Sequence, residues 1–395
     1  MRGFSYRWRA GSAALSVADH RRRAARVLPA MVWAYLEGGA DDEVTCRANR
    51  SAFARRQLHQ RVLRGTSNAG LGTTVAGVEL ALPILLAPTG LSGLIHWTGE
   101  PAAARAAEAA GIRAVLSTAA SYTPEEVAAA TREAHLFQLY PWRGSGRDPH
   151  TFTRSVLDRV RAAGFHALVV TVDSSTYGNR ERERHAGMGL PPVLTPARIL
   201  DAGRRPRWWL AALRHRRLGL RILEDDPSFA GAVRSASLHQ QLLRPDLSWD
   251  DLAWVRDHWT GPLLVKGIMH PDDAARAVDI GADGIVVSNH GGRQLDGVPA
   301  SLDALPAVAE RVGNRAEVLL DGGIGRGSDI VKARCLGARA VLLGRAHLYG
   351  LASGGQAGVE DVLRILREEM VRTMTLMGVH HVDELGPQWL VRESF

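Results

Sequence analysis

The segment 288–296 contains the residue types that proton transfer on an anionic substrate requires. His290 can accept a proton near neutral pH, and Arg293 can hold a carboxylate through two parallel hydrogen bonds. The two glycines between them leave room for a ligand. Asp173, which follows a different apolar run, is available to stabilise the protonated imidazole. The pattern predicts a proton-transfer site that binds a carboxylate.

Lys266 follows the apolar residues 263–265 and is predicted to point toward the same region. A lysine in this position can be a Schiff-base nucleophile, a phosphate contact, or a fixed positive charge beside an electron-accepting ring. The surrounding residues leave all three roles open.

Two glycine-rich turns, residues 321–329 and 343–345, supply the features of an anion site. Glycine frees backbone N–H groups, a helix is predicted to begin in the first turn, and the second turn ends in Arg345. The two turns together predict a ligand that carries a phosphate.

Short runs rich in Val, Leu and Ile alternate with segments of helical period, which is typical of βαβ units around a parallel sheet. The eight runs are residues 83–87, 113–116, 135–139, 167–172, 263–265, 284–287, 317–320 and 340–343. The helical candidates are 102–110, 123–132, 152–163, 271–280 and 327–336. Eight such units favour an α/β fold, the (β/α)8 TIM barrel, which places its chemistry at the carboxyl ends of the strands. Polar side chains follow every run, so an active site is predicted there.

The pattern divides the chain into an N-terminal helical cap (1–75), the barrel (76–385) and a C-terminal tail (386–395). The cap contains one strong helical stretch, residues 17–36. A long insertion, at about 186–246, follows the fourth strand. Within it, residues 204–217 mix arginine with Trp and Leu. A membrane-surface contact, a lid over the active site and an oligomer contact are all compatible with that mixture.

The composition excludes several other classes. The formal charge is +8, but only two of the 49 basic residues are lysines, and there is no basic stripe with interleaved aromatics, so no nucleic-acid partner is expected. Two cysteines cannot build a disulfide framework, which favours a reducing compartment. We expect a cytoplasmic protein, peripheral on the inner face of the membrane if it contacts one. No signal peptide, spanning helix or metal site is predicted.

The segment 288–296 resembles the FMN-dependent (S)-2-hydroxy acid oxidase and dehydrogenase family, which includes glycolate oxidase, mandelate dehydrogenase and flavin L-lactate dehydrogenase. Residues 87–90, 137–140, 171–173 and 264–267 resemble the same family, and the resemblance covers about residues 17–385. The insertion and residues 344–351 are similar to those of respiratory bacterial L-lactate dehydrogenases.

The resemblance implies a role for each matching residue. His290 would be the base and Asp173 its partner, Arg180 and Arg293 would bind the carboxylate with Tyr35, and Tyr140 would lie near the substrate hydroxyl. Pro88, Thr89 and Gly90 would approach the FMN ring through backbone, and its side-chain contacts would be Ser117, Gln138, Thr171, Lys266 and Ser288. The ribityl and phosphate end would contact Asp321, Gly323, Gly344 and Arg345.

The resemblance also implies the reaction: oxidation of a small (S)-2-hydroxy acid, with L-lactate as the first candidate, by a homotetramer that passes electrons to a quinone, a cytochrome or oxygen. Three positions bear on phosphate binding and on the size of the substrate pocket. Gly325 replaces an arginine that the family usually has, Ala119 replaces the tryptophan of glycolate oxidases, and Tyr177 would narrow the pocket.

An alternative hypothesis is a specialised family member that acts on 4-hydroxymandelate, or on a peptide, in natural-product or redox-cofactor biosynthesis. From the residues alone, a flavin-free phosphosugar isomerase or aldolase barrel with Lys266 as Schiff base stays open, as does a non-catalytic scaffold.

Overall fold

Eight parallel strands close into a barrel in the computed structural model, which describes residues 13–67, 69–143, 148–188, 193–224 and 242–391. The order around the barrel is β10-β3-β4-β5-β6-β7-β8-β9, so the predicted (β/α)8 barrel is confirmed. The basic start of the chain, part of the insertion and the end of the tail lie outside the described residues. The barrel strands are β3 (Ile84–Leu86), β4 (Arg113–Ser117), β5 (Leu136–Leu139), β6 (Ala167–Thr171), β7 (Leu263–Ile268), β8 (Gly284–Val287), β9 (Glu317–Asp321) and β10 (Ala340–Leu343).

An apolar layer fills the barrel interior. The candidate site lies two residues farther along each strand, toward its carboxyl end. The layer contains Leu85, Val115, Leu136, Val169, Leu264, Val286, Leu319 and Leu342, all buried. Side chains alternate along a strand, so the residue two positions after each of these points to the same side. Those residues are Ala87, Ser117, Gln138, Thr171, Lys266, Ser288, Asp321 and Gly344. The alternation therefore gathers polar groups from most strands at one mouth.

Helices surround the barrel, and the first three of the chain line the cavity at its mouth. They are α1 (Val17–Val27), α2 (Ala30–Glu37), α3 (Val44–Arg55), α4 (Ser92–Ile95), α5 (Gly99–Ala109), α6 (Pro124–Ala128), α7 (Thr151–Ala162), α8 (Glu181–His185), α9 (Pro196–Gly203), α10 (Pro206–His215), α11 (Arg221–Glu224), α12 (Trp249–His258), α13 (Pro271–Asp279), α14 (Ser301–Val312), α15 (Gly327–Cys335) and α16 (Arg345–Met377). A short antiparallel hairpin, β1 (Thr73–Val75) and β2 (Val78–Leu80), packs against the barrel's inner apolar layer.

The prediction of one helix over residues 17–36 is wrong, because the chain forms α1 and α2 with a break between them. Leu28 has extended dihedral angles (φ −87°, ψ 143°), as expected for a residue that precedes a proline. The predicted helix at 123–132 is shorter than expected, since α6 ends at Ala128. The other helical candidates agree with the structure to within a few residues.

The insertion after β6 packs back onto the loop that follows β3. In α10, Trp208, Ala211 and His215 recur at helical spacing; the Trp208 indole N–H donates to the Leu94 carbonyl at 2.8 Å, and the His215 ring stacks on Trp97 with centroids 4.0 Å apart. Leu210 and Leu213 on the same helix are exposed. Within the described residues no helix is both long and apolar enough to span a bilayer.

Candidate active site

Lys266, Ser288 and Asp321 form a buried polar cluster at the ends of β7, β8 and β9. The Lys266 ammonium donates to Ser288 Oγ at 2.9 Å and lies 2.9 Å from Asp321 Oδ2. Burial alone would lower the pKa of Lys266, but the attraction of Asp321 and Asp173 outweighs it and raises the pKa. The lysine is therefore a fixed positive charge. A Schiff-base nucleophile needs a neutral amine, so this geometry opposes the aldolase interpretation.

His290 lies beside this cluster and contacts two further predicted residues. Its Nδ1 is 3.0 Å from Asp173 Oδ1, and its Nε2 is 3.3 Å from the Tyr140 hydroxyl. Its own backbone N–H donates to Ser288 Oγ at 3.0 Å, so the serine joins the backbone of His290 to Lys266. The contact to Asp173 fixes the ring and leaves Nε2 as the nitrogen on the Tyr140 side.

Burial and charge act in opposite directions on this pair. Burial lowers the pKa of His290 below its ordinary value, although Asp173 acts to raise it. Burial alone would raise the pKa of Asp173, but its contacts with His290 and Lys266 hold that pKa below its ordinary value. The resulting arrangement at neutral pH is a neutral imidazole oriented by a carboxylate, which is the form a general base needs.

Gly267 makes the approach of Asp173 possible. It lies at a register shift between β7 and β8, with φ +104°, and a Cβ on it would lie 2.6 Å from Asp173 Cγ. Any side chain here would push the carboxylate away from His290.

The two predicted carboxylate-binding arginines both line the main cavity, and protein groups hold each one. Arg293 Nη1 donates to the carbonyls of Tyr35 and Gly38, both at 2.8 Å, and its Nη2 lies 2.8 Å from Glu183 Oε1. Arg180 donates to the Tyr177 hydroxyl at 2.9 Å, with its guanidinium carbon 4.3 Å from the centre of that ring. Both guanidiniums are thereby fixed in position before any ligand arrives.

The loop after β3 forms another part of the cavity wall. Pro88, Thr89 and Gly90 line it, and the Tyr35 hydroxyl donates to the Gly90 carbonyl at 3.1 Å. Burial raises the pKa of Tyr35 well above its ordinary value, so the phenol keeps its proton.

Several buried polar atoms at the mouth lack a partner, and they test whether FMN fits. Gln138 Nε2, Thr171 Oγ1 and Asp321 Oδ1 are buried and without a hydrogen-bond partner in the described part of the chain. Ser117 donates to Gln138 Oε1 at 2.8 Å, which leaves the amide hydrogens of Gln138 unused. Buried polar groups are normally paired, so these atoms indicate a polar ring edge between them. The adjoining cavity measures about 640 Å³, and the residues present fit the flavin ring.

The phosphate end of the predicted site differs in part from expectation. Gly323 and Gly344 line the cavity as predicted, and the space beside Gly325 and Gly344 is open. Arg345 instead donates to the carbonyls of Leu36, Gly38 and Gly291 at 2.8 to 3.1 Å. Arg326, which also lines the cavity, pairs with Glu369. Neither arginine offers its whole guanidinium to a phosphate.

Two charged residues of the site could not be found from the sequence. Arg50, on the cap helix α3, lines the cavity beside the glycine turn, and its guanidinium makes only a 3.5 Å contact to the Tyr349 hydroxyl among the described residues. Glu183, the partner of Arg293, is almost fully buried in α8. Both lie in short charged segments that are typical of a solvent-facing helix.

Comparisons with known proteins agree with this geometry. Residues 24–392 match the FMN-dependent dehydrogenase family. An L-lactate dehydrogenase of Xanthomonas campestris pv. campestris is 45% identical over 383 residues, covering 95% of this chain and 97% of that protein. The structure of the monotopic membrane protein (S)-mandelate dehydrogenase superposes with a TM-score of 0.91 at 37% identity, covering 96% and 100% of the two chains. A mandelate oxidase with a bound hydroxy acid gives 0.78 at 35% identity, covering 96% and 98%.

Proposed function

The chain belongs to the FMN-dependent dehydrogenase family, an oxidoreductase family acting on 2-hydroxy acids, and we propose that its substrate is a small (S)-2-hydroxy acid, L-lactate first, oxidised to the 2-oxo acid. The observation that carries the proposal is the His290 imidazole, held by Asp173 and open on its Nε2 side, between Lys266 and two fixed arginines. When bound, FMN supplies the acceptor for the two electrons that leave C2.

In this proposal His290 Nε2 takes the proton that the substrate loses. Asp173 stabilises the imidazolium that forms, and the Tyr140 hydroxyl, 3.3 Å from Nε2, orients the substrate hydroxyl. Lys266 would supply a positive charge beside the flavin ring, and its own carboxylate and serine contacts keep it in place.

Arg180 and Arg293 bind the substrate carboxylate in the same proposal. The Glu183 carboxylate offsets most of the charge of Arg293, so a bound anion is attracted mainly by Arg180. Arg293 contributes geometry, because two backbone carbonyls accept from it and an ion pair with Glu183 holds its other end. Tyr35 adds a protonated phenol at the same wall of the cavity.

Two side chains favour opposite substrate sizes. Ala119, which lines the cavity beside Gly90, leaves space for a side chain larger than a hydrogen. Tyr177, fixed by Arg180, takes up space from the other side. L-lactate fits between these limits, and (S)-mandelate, the substrate named for the mandelate dehydrogenase, is the second candidate because Ala119 is small.

The test is the absorbance of the purified, FMN-loaded protein before and after L-lactate is added without oxygen. Bleaching of the flavin band would support the proposal, and persistence of the band would refute L-lactate. Parallel samples with (S)-mandelate and glycolate identify the acid. Inactivity on all three acids would favour the alternative hypothesis of a specialised enzyme with 4-hydroxymandelate or a peptide as substrate. A protein that takes up no FMN would refute the proposal as a whole.

Peripheral membrane contact through residues 204–217 belongs to the same proposal. Leu210 and Leu213 are exposed on α10, Ile199 and Leu200 on α9, and arginines such as Arg204 and Arg207 flank them. Such a contact would place the enzyme on the inner membrane face and favour a quinone or cytochrome over oxygen as electron acceptor. Co-sedimentation with vesicles, compared for wild type and a Leu210→Ser, Leu213→Ser variant, tests the contact. The proposed homotetramer is tested by light scattering.

A further inference from the structure

A second cavity of about 500 Å³ lies between the insertion and the helical cap. Its walls come from the end of α1, the loop after β3, helix α10, and the break in α16 near Gly354. No described residue lines both this cavity and the one beside His290. The second cavity is therefore a separate space, which the hydroxy acid chemistry does not use.

The walls of the second cavity are rigid and largely apolar. Trp97 and Trp208 line it with Leu28, Ile95 and Ala212. The Trp208 indole is fixed by its hydrogen bond to Leu94, and the Trp97 ring by its stack on His215. An apolar chain or ring would therefore meet preformed surfaces, which lowers the entropy cost of binding.

The charges around the cavity have one sign only. Arg26, Arg204, Arg205 and Arg207 line it, and no Asp or Glu does so among the described residues. In that part of the chain none of these four guanidiniums makes a hydrogen bond or ion pair, whereas nearby Arg217 pairs with Glu126 at 2.8 Å. Arg205 is the most informative, because its Nε is buried without a partner. A buried N–H donor without an acceptor is unfavourable, and the accessible part of this half-buried side chain is available to an anion in the cavity.

A chain of hydrogen bonds at the cavity floor has a different role. Ser353 lines the cavity; its Oγ is 2.8 Å from His20 Nδ1, and His20 Nε2 is 2.9 Å from Asp361. The order matches that of a hydrolytic triad, but the Ser353 hydroxyl donates to the Gly350 carbonyl of its own helix at 3.1 Å. A serine turned into its helix is not an activated nucleophile, so this chain joins α1 to α16.

We propose that the second cavity binds an amphipathic anion, with a phosphate or carboxylate head group on Arg205 and an apolar body between Trp97 and Trp208. The planar guanidinium can donate two parallel hydrogen bonds to such a head group, and the neighbouring arginines add attraction. The apolar body would displace water from the tryptophan walls. The proposal does not depend on the identity of the hydroxy acid.

The experiment is calorimetric titration of the FMN-loaded enzyme with monododecyl phosphate below its micelle concentration. We expect saturable binding at one per chain, weakened at least about tenfold by Arg205→Gln, because a charge-assisted contact is lost. Arg214→Gln is the matched control: this exposed arginine lies on α10, the helix that directly follows Arg205, and lines neither cavity. Ala212→Leu, which fills the apolar part, is expected to weaken dodecyl phosphate but to leave any binding of inorganic phosphate unchanged.

The results can overturn the proposal or identify the source of the ligand. Absence of saturable binding, or an equal loss in Arg205→Gln and Arg214→Gln, would overturn the proposal. A second arm measures binding to vesicles of phosphatidylcholine with and without phosphatidylglycerol. If Arg205→Gln weakens vesicle binding more than Arg214→Gln does, the head group belongs to a bilayer lipid; if only the calorimetric affinity changes, the ligand is a free amphiphile. Flavin bleaching by hydroxy acid, measured on the same variants, reports independently on the proposed function.

Discussion

Replacing Asp173 by Asn tests the proposed role of His290 most directly. The carboxylate lies 3.0 Å from His290 Nδ1, so the centres of the two charges are about 4 Å apart when the imidazole is protonated. At an effective dielectric constant of about 20, such a pair is worth about 4 kcal/mol. A transition state with half to all of the proton's charge on the ring loses about 2 to 4 kcal/mol. The expected rate is about 30- to 1000-fold lower.

The pH profile supplies a second readout of the same variant. The rate should rise with pH as His290 loses its proton, and burial places this rise below the ordinary histidine pKa. Because Asp173 acts to raise the pKa of His290, its removal should move the rise to still lower pH while the plateau falls.

The assay is stopped-flow bleaching of the flavin by L-lactate without oxygen, from pH 5 to 9. Asp148→Asn is the control, since this exposed aspartate does not line the cavity and carries the same substitution. A plateau within about threefold of wild type, with the rise at unchanged pH, would refute the proposed stabilisation of the imidazolium, since a general base normally contributes at least about 100-fold.

Three further predictions use other contacts. Gly267→Ala should cost about 1 to 3 kcal/mol in urea unfolding and slow bleaching, whereas Gly164→Ala, also at positive φ but facing open space, should cost only about 1 kcal/mol; equal costs would contradict the clash with Asp173. Arg293→Lys should lower kcat/KM for the hydroxy acid at least about tenfold, because a lysine ammonium cannot donate the two parallel hydrogen bonds of a guanidinium; an unchanged kcat/KM would contradict the proposed role of Arg293. Burial raises the pKa of Glu100, so its stabilising proton is lost as pH rises through that pKa, and Glu100→Gln should raise Tm at pH 8 but not at pH 4; equal Tm at pH 8 would count against this.

The polar residues at the carboxyl ends of the strands could be predicted from the sequence, because a single physical rule determines which way their side chains point. Inside a parallel barrel an apolar residue and the polar residue two positions later share a side, so Leu264 and Lys266, or Leu319 and Asp321, can be assigned without a structure. The rule does not extend to groups that reach the mouth from the cap. Arg50 arrives there only through the docking of α3, a long-range contact that no local pattern encodes.

For Arg345, the position in the fold could be predicted from the sequence but the direction of the side chain could not. Its position after β10 is predictable, yet the direction of its guanidinium is set by competing acceptors. The carbonyls of Leu36 and Gly38 at the end of α2, with Gly291, offer three such acceptors. Where the end of α2 lies relative to Arg345 depends on how the cap docks, so the direction of the Arg345 side chain could not be predicted from the segment around it.

The backbone at His290 shows why the site cannot follow from local preference alone. His290 has φ +58°, and the next two residues, both glycines, also have positive φ. A left-handed conformation costs a non-glycine residue about 1 to 2 kcal/mol, and glycine at 290 would avoid that cost. The strain persists because Asp173, Ser288 and Tyr140 all contact this one residue. An unfavourable backbone that three predicted site residues hold in place is expected where chemistry, and not stability, requires the side chain.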